Sequence, residues 1–324
     1  MAPCSNSTPS PEECLSSNPD TIHPYLQKAL NHPGLAGTVA LFNPSPSPPT
    51  TWPRLHRSTT NQIFLYPGSY NPPHRGHLAT IQYFADRRVQ LNIVAFFIFC
   101  DPSSVILTKN KKHNSITLPR SLRNAIFYQT PKLTQLISEG WLHLLVGSME
   151  SHISYLRILA DFVKGDGWSV KLVGFLGGDK LSAESPPHLP PGELTAWGPV
   201  DEFLIINARR PVDFYTPGAD EAPRDLPGCT AWERGERWDD EKKLGIPWVC
   251  KALTVPGEPW ISFRASERSA SDGVSSTDIR RIMCEVPGER LYEDLKEHVL
   301  GCELLVEWLE KYRGKKGEDG QQVE

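Results

Sequence analysis

The stretch Gln62-Ile63-Phe64-Leu65-Tyr66-Pro67-Gly68-Ser69-Tyr70-Asn71-Pro72-Pro73-His74-Arg75-Gly76-His77 decides the reading of this chain. Ile63 to Tyr66 is a short apolar run that stops at Pro67-Gly68, the shape of a buried strand feeding a loop. Leu78, Ile81, Gln82, Phe84 and Ala85 then recur at helical spacing. Gly68 permits tight turning and close approach of the backbone to a phosphate, while Asn71 and the two prolines fix the loop. His74 and His77, three apart at a helix start, point to the same side, and Gly76 between them leaves room for a bulky ligand. A helix N-terminus offers unpaired N–H groups and the positive end of a dipole, so two imidazoles there make an anion site.

The rhythm continues outward from that unit. Asn92 to Cys100 is a nearly continuous apolar run, too short for most helices, and reads as a central parallel strand. Ser121 to Tyr128 and Tyr155 to Lys164 read as helices, and Trp141 to Val146, Val170 to Leu176 and Phe203 to Asn207 as strands. Strands alternating with helices predict an α/β fold, a Rossmann-like doubly wound parallel sheet. In such a sheet ligands sit beyond the carboxyl ends of the strands, which is where the histidine loop falls.

The chain has 324 residues, 39% hydrophobic, with 34 Lys+Arg against 38 Asp+Glu. A mildly acidic balance argues against a protein whose business is neutralising nucleic-acid phosphates. The longest apolar run, Ile93 to Cys100, is too short to cross a bilayer. Seven scattered cysteines with no C-x-x-C pair read as reduced thiols. The expected compartment is the cytosol or the nucleus, with no membrane and no nucleic-acid partner, and a homo-oligomer is compatible with the sequence.

Residues 1–60 hold 11 of the 30 prolines and 8 serines, and read as a largely low-complexity, flexible extension. Within it Thr21 to Leu30 suits a helix and Leu35 to Phe42 a strand. The main domain is expected over 61–300, with proline-rich insertions near 183–198 and 211–260. The second carries Trp232, Trp238 and Trp248, so it reads either as an ordered insertion packed on the body or as a partly mobile loop. Residues 301–324 read as an amphipathic helix, Leu304 to Tyr312, ending in a frayed polar tail.

A second motif lies far along the chain: Val274-Ser275-Ser276-Thr277-Asp278-Ile279-Arg280. Ser275 as N-cap with Asp278 three residues on approaches a capping box. The exposed amides, the hydroxyls of Ser276 and Thr277 and the Arg280 guanidinium suit phosphate oxygens. Taken singly each motif has an ordinary explanation, a structural histidine pair and a plain helix cap.

Together, G-x-[FY]-N-P-x-H-x-G-H followed by [IV]-S-S-T-x-I-R resembles the signature pair of the adenylyltransferase and cytidylyltransferase superfamily. Three intermediate blocks, Pro119-Arg120 to Arg123, Ser154-Tyr155, and Gly177-Gly178-Asp179 through Trp197 to Arg209-Arg210-Pro211, resemble in order those of nicotinamide or nicotinate mononucleotide adenylyltransferases. The resemblance covers Ile63 to about Met283. It implies that the adenylyl group of ATP passes to a pyridine mononucleotide, giving NAD or its deamido form and pyrophosphate, with Mg²⁺ arriving on ATP and no independent metal site.

It also implies roles. His74, His77 and Arg280 would stabilise charge as pyrophosphate departs. Gly68, Ser69, Tyr70, Gly177, Asp179, Ser275, Ser276 and Thr277 would contact ATP, with Asp179 on the ribose. Asn71, Arg120, Arg123 and Trp197 would meet the mononucleotide. Trp197 equally suits an ordinary packed tryptophan, and Lys109, Lys111 and Lys112 a solvated charge run. His143, His152 and His188 read as isolated and structural or exposed. Other readings are cytidylyl or phosphopantetheine adenylyl transfer, and a nucleotide-binding scaffold without turnover.

Overall fold

All eight residues of Ile93–Cys100 are buried, as an apolar run without alternation must be when both faces of its strand are covered. The computed structural model describes residues 20–41, 51–111, 116–176, 181–185, 200–206, 212–216, 222–235, 247–254, 258–264 and 276–319. The strands among them are β1 (Val39–Leu41), β2 (Asn61–Gly68), β3 (Ile93–Cys100), β4 (Leu142–Gly147), β5 (Val170–Leu176), β6 (Glu202–Ile206), β7 (Glu233–Arg234), β8 (Trp248–Lys251) and β9 (Trp260–Arg264). The helices are α1 (His23–Leu30), α2 (Arg75–Ala85), α3 (Ser103–Lys111), α4 (Arg120–Gln129), α5 (Pro131–Ser138), α6 (Met149–Gly165), α7 (Ser276–Glu285), α8 (Gly288–Leu295) and α9 (Cys302–Asp319).

The strands form one sheet of order β1-β4-β3-β2-β5-β6-β9-β8-β7. Its central six, β4-β3-β2-β5-β6-β9, are parallel. Numbered by chain order among themselves they stand 3-2-1-4-5-6, the Rossmann arrangement, whose switch point lies between the first and fourth. Here those strands are β2 and β5. β2 stays paired with β3 as far as Gly68↔Cys100, but with β5 only as far as Leu65↔Gly174. The carboxyl end of β2 is thus bare on one side, which opens the crevice there.

Apart from Val94, which the register with β2 skips, alternate residues of β3 feed the two halves of the core. Val94, Ala95, Phe97 and Phe99 join the side covered by α1 and α6, while Ile93, Phe96, Ile98 and Cys100 join the side covered by α2, α4, α5 and α7–α9. Each fully buried Phe or Ile side chain contributes about 1.5–3 kcal/mol relative to exposure, so the continuous run is what anchors the sheet.

The structure departs from the sequence reading in three places. Residues 20–41 are built into the domain: Ile22, Leu26 and Ala29 are fully buried, and β1 pairs antiparallel with β4. The expected strand over Leu35 to Phe42 shortens to Val39–Leu41, because Pro33–Leu35 forms a 3-10 turn; Phe42 lies outside the described residues. At the other end α9 continues through the expected polar tail to Asp319. Arg313 bridges to the body there, donating to the carbonyls of Met283 (2.6 Å) and Val286 (2.8 Å).

The described parts of the 211–260 segment supply β7 and β8. Trp232 is buried with its ring stacked 5.8 Å from Phe214, and Arg234 lies 3.9 Å over Trp248. Trp238 and residues 186–199 lie outside the described residues. Among the described residues no helix is long and apolar enough to cross a membrane.

Candidate active site

β2 ends in a loop whose geometry is set by Tyr70. Its backbone sits in the left-handed region at φ 47°, and its hydroxyl donates to the Tyr66 carbonyl at 2.6 Å. The ring folds back over Gly68, where an added Cβ would lie 3.0 Å from it. A side chain at position 68 would press on the Tyr70 ring, so glycine lets that ring seat. The strand end is tied to β3: Asp101 N–H donates to the Gly68 carbonyl (2.9 Å), and Ser69 Oγ donates to Asp101 Oδ2 (2.8 Å).

His74 and His77 cap α2 reciprocally. Gly76 N–H donates to His74 Nδ1 (3.2 Å), and His74 N–H donates to His77 Nδ1 (3.0 Å). The result is a capping box built from two imidazoles where a Ser and a Glu would serve elsewhere. Because both Nδ1 atoms accept, each neutral ring carries its proton on Nε2. The rings lie 3.8 Å apart, and His77 meets the Tyr70 ring edge-on at 4.8 Å. Both histidines are buried, so their orientation is held by packing as well as by the cap.

The second motif closes on this loop. His74 Nε2 lies 3.0 Å from Ser276 Oγ, and by the tautomer just derived the imidazole donates. Arg280 donates from NH1 to the Asn71 carbonyl (2.9 Å) and from NH2 to Thr277 Oγ1 (3.2 Å). Ser276 and Thr277 are the first residues of α7, with Asp278 in the same turn and 3.5 Å from Arg281. Two helix N-termini, α2 and α7, therefore converge beyond the carboxyl end of β2, each with its positive dipole end toward one place.

Asn71 and Arg123 are placed in the walls of the crevice. Asn71 donates to the Ile116 carbonyl and accepts from Leu118 N–H, both at 2.8 Å. Arg123 is fully buried and donates to the carbonyls of Ser69 (2.6 Å), Asp101 (2.7 Å) and Leu118 (3.1 Å). It thereby clamps the ends of β2 and β3 to the start of α4. Arg120 lies further along, donating from its backbone to Ser103 Oγ (3.1 Å) and from its guanidinium to the carbonyl of Gly147, the last residue of β4.

Burial lowers the pKa of Arg120, Arg123 and Arg280, yet guanidinium keeps its charge in proteins. These are cations partly stripped of water, and they are satisfied largely by carbonyl oxygens. Burial likewise pushes the Cys100 thiol up to about 12, so it is inert under the loop.

Gly177, Asp179, Trp197 and Ser275 lie outside the described residues, as do Lys112 and His188. His143 and His152 are buried, not exposed, and both stand near 4 through desolvation. Sequence reasoning missed Asp101 and Ser103, which fasten the crevice from the β3 side; Asp101-Pro102 directly after the central apolar run was the available signal.

No family model matches the chain, and no curated protein matches it. Among solved structures, the chain is similar to a Plasmodium falciparum nicotinic acid mononucleotide adenylyltransferase complexed with NaAD. The two share 13% identity over 78% of this chain and 96% of that one, with a TM-score of 0.38. An overlap that loose decides nothing about chemistry.

Proposed function

We propose that this protein is a nucleotidyltransferase that moves the adenylyl group of ATP onto a pyridine mononucleotide. The observation that carries the reading is the contact of His74 Nε2 with Ser276 Oγ, at 3.0 Å, between motifs 202 residues apart in the chain. It gathers the His77 Nε2–H, the Ser276 hydroxyl held by His74, two helix N-termini and the Arg280 guanidinium at the bare end of the switch-point strand. Such a set of donors suits a polyphosphate, not a cation or an apolar ligand.

The described residues contain no group of His, Cys, Asp and Glu that could hold a metal ion. Mg²⁺ would arrive chelated to ATP, since this ion prefers substrate phosphates and water to an all-protein cage. In the transfer, an oxygen of the mononucleotide 5′-phosphate forms a bond to the α-phosphorus of ATP. The bond from that phosphorus to the α–β bridging oxygen breaks, and the electron pair leaves with pyrophosphate. No protein nucleophile is needed. His77 donates to the departing phosphates, His74 fixes the Ser276 hydroxyl, which with Thr277 and Arg280 holds their outer oxygens, and Asn71 and Arg123 keep the walls in place. Catalysis of this type is positioning plus electrostatic stabilisation.

The test is a product assay with ATP or CTP against a panel of phosphorylated acceptors. Formation of a pyridine dinucleotide from ATP is the expected result. Product only from CTP and a phospho-alcohol, or only from ATP and phosphopantetheine, overturns the assignment of acceptor; no transfer with any pair overturns the enzyme reading.

A further inference from the structure

β4 lies two strands from β2 in the sheet, with β3 between them. Two inter-strand spacings amount to roughly 10 Å, about the reach of a mononucleotide from its phosphate to the substituent on its base. A mononucleotide whose phosphate stands at the carboxyl end of β2 and which lies across β3 therefore brings its ring to the carboxyl end of β4.

What waits there is Arg120. Its guanidinium donates to the carbonyl of Gly147, and its Nε is buried with no hydrogen-bond partner. No carboxylate forms an ion pair with it among the described residues; Asp101, which bears on its charge, accepts from Ser69 instead. Beside it the His152 ring is almost wholly buried, and neither ring nitrogen has a hydrogen-bond partner. Its Nε2 stands 3.3 Å from where a side chain on Gly147 would begin. Desolvation first, and then the Arg120 charge, hold His152 near 4. At neutral pH His152 is thus uncharged, and the charges in this corner are the Arg120 cation, partly desolvated and with its Nε unpaired, and the carboxylates of Asp101 and Glu150, neither of which forms an ion pair with Arg120. A desolvated cation of this kind gains far more from an anion than from a neutral amide.

We propose that Arg120 is a specificity-determining residue that pairs with a carboxylate on the acceptor's ring, so that the enzyme takes nicotinate mononucleotide in preference to the nicotinamide form. This rests on the adenylyl-transfer reading above and deepens it. The two acceptors differ only in that group and carry the same 5′-phosphate, so a comparison between them isolates it.

The experiment measures kcat/KM for nicotinate and nicotinamide mononucleotide with saturating MgATP, in the unaltered protein and in Arg120→Gln and Arg120→Lys. The unaltered protein is expected to favour the acid by at least tenfold. Arg120→Gln should reduce that ratio by on the order of 10²-fold or to parity, whichever comes first, and Arg120→Lys should restore part of it. An equal fall for both acceptors would place Arg120 on the shared phosphate or in the fold, and overturns the proposal. So does an unaltered protein that favours the amide or uses both equally, a result that needs no variant to fold. Failure to make either dinucleotide overturns the underlying reading, which distinguishes the two failures.

Discussion

His74 donates to Ser276 across 3.0 Å, although 202 residues separate them, and Arg280 reaches the Asn71 carbonyl over a separation of 209. The first helix of the sheet and the helix after its last strand are thereby joined at one corner. Replacing Ser276 by Ala leaves the His74 Nε2–H without its oxygen and frees the ring to turn. A loss of about tenfold in kcat/KM for MgATP is expected, the worth of one such hydrogen bond. Kinetics indistinguishable from the parent protein would show the contact to be incidental.

His77 has a larger share. Its Nε2–H is oriented by the His74 amide, and its ring is wedged against Tyr70. His77→Ala should lower kcat by on the order of 10²-fold, as for loss of a preorganised donor to developing charge. The cap is lost with it, at about 1 kcal/mol, so unfolding should be measured on the same sample to separate the two effects. An unchanged kcat in a folded variant would remove His77 from the chemistry.

Arg123 is a positioning residue. Arg123→Met would leave the carbonyls of Ser69, Asp101 and Leu118 to find other donors inside the wall. Destabilisation of about 3 kcal/mol is expected from unsatisfied buried acceptors, read as a lower urea midpoint. Activity should fall through KM for both substrates, since the crevice is shaped by what Arg123 holds. Full stability in the variant would contradict the clamp.

Acid should unfold this protein early. His143 and His152 both sit near 4, chiefly through burial, against about 6.5 when exposed. Between those values the unfolded chain binds protons that the folded one refuses, so stability rises with pH in that window. The contribution is complete above pH 6.5 and drains away as pH falls toward 4, by a few kcal/mol in all. Urea midpoints at pH 7.5, 6 and 5 should therefore decline, and His143→Phe should flatten part of the decline. A midpoint constant from 7.5 to 5 would refute the linkage.

Residues 20–41 are part of the folded domain. Leu26 is fully buried against the α6 side of the core, so Leu26→Ala should cost about 2–4 kcal/mol. Calorimetry reads it directly; an unshifted melting temperature would mean that α1 docks without consequence.

Much of the fold was legible locally. β2, β3 and β5 follow from short apolar runs bounded by Pro, Gly and Asn, and α2 and α6 from apolar residues at helical spacing, because those patterns depend on neighbours in the chain. The short helices α3 and α5 were not legible, since their apolar positions are few and their stability comes from what they pack against. The outer strands β7 to β9 were hidden for a related reason. They sit in a segment rich in Pro, Gly and charge, and pairing of β9 with β6, β8 with β9 and β7 with β8, rather than periodicity, makes strands of them.

The same division runs through the site. The sequence by itself determined that a strand, a two-histidine loop and a helix follow one another, and that a Ser-Thr-Asp-Ile-Arg helix start lies near the far end. The cap at α2 is equally local, for a cap involves only residues a few positions apart. Only the tertiary structure decided that the two helix starts share one corner, since strand order brings them together and no local pattern encodes it. It decided, too, that Asn71 and Arg123 spend their donors and acceptors on the walls while Arg120 keeps donors in reserve. A guanidinium is chemically the same at both positions; which carbonyls surround it depends on how β2, β3 and β4 end side by side.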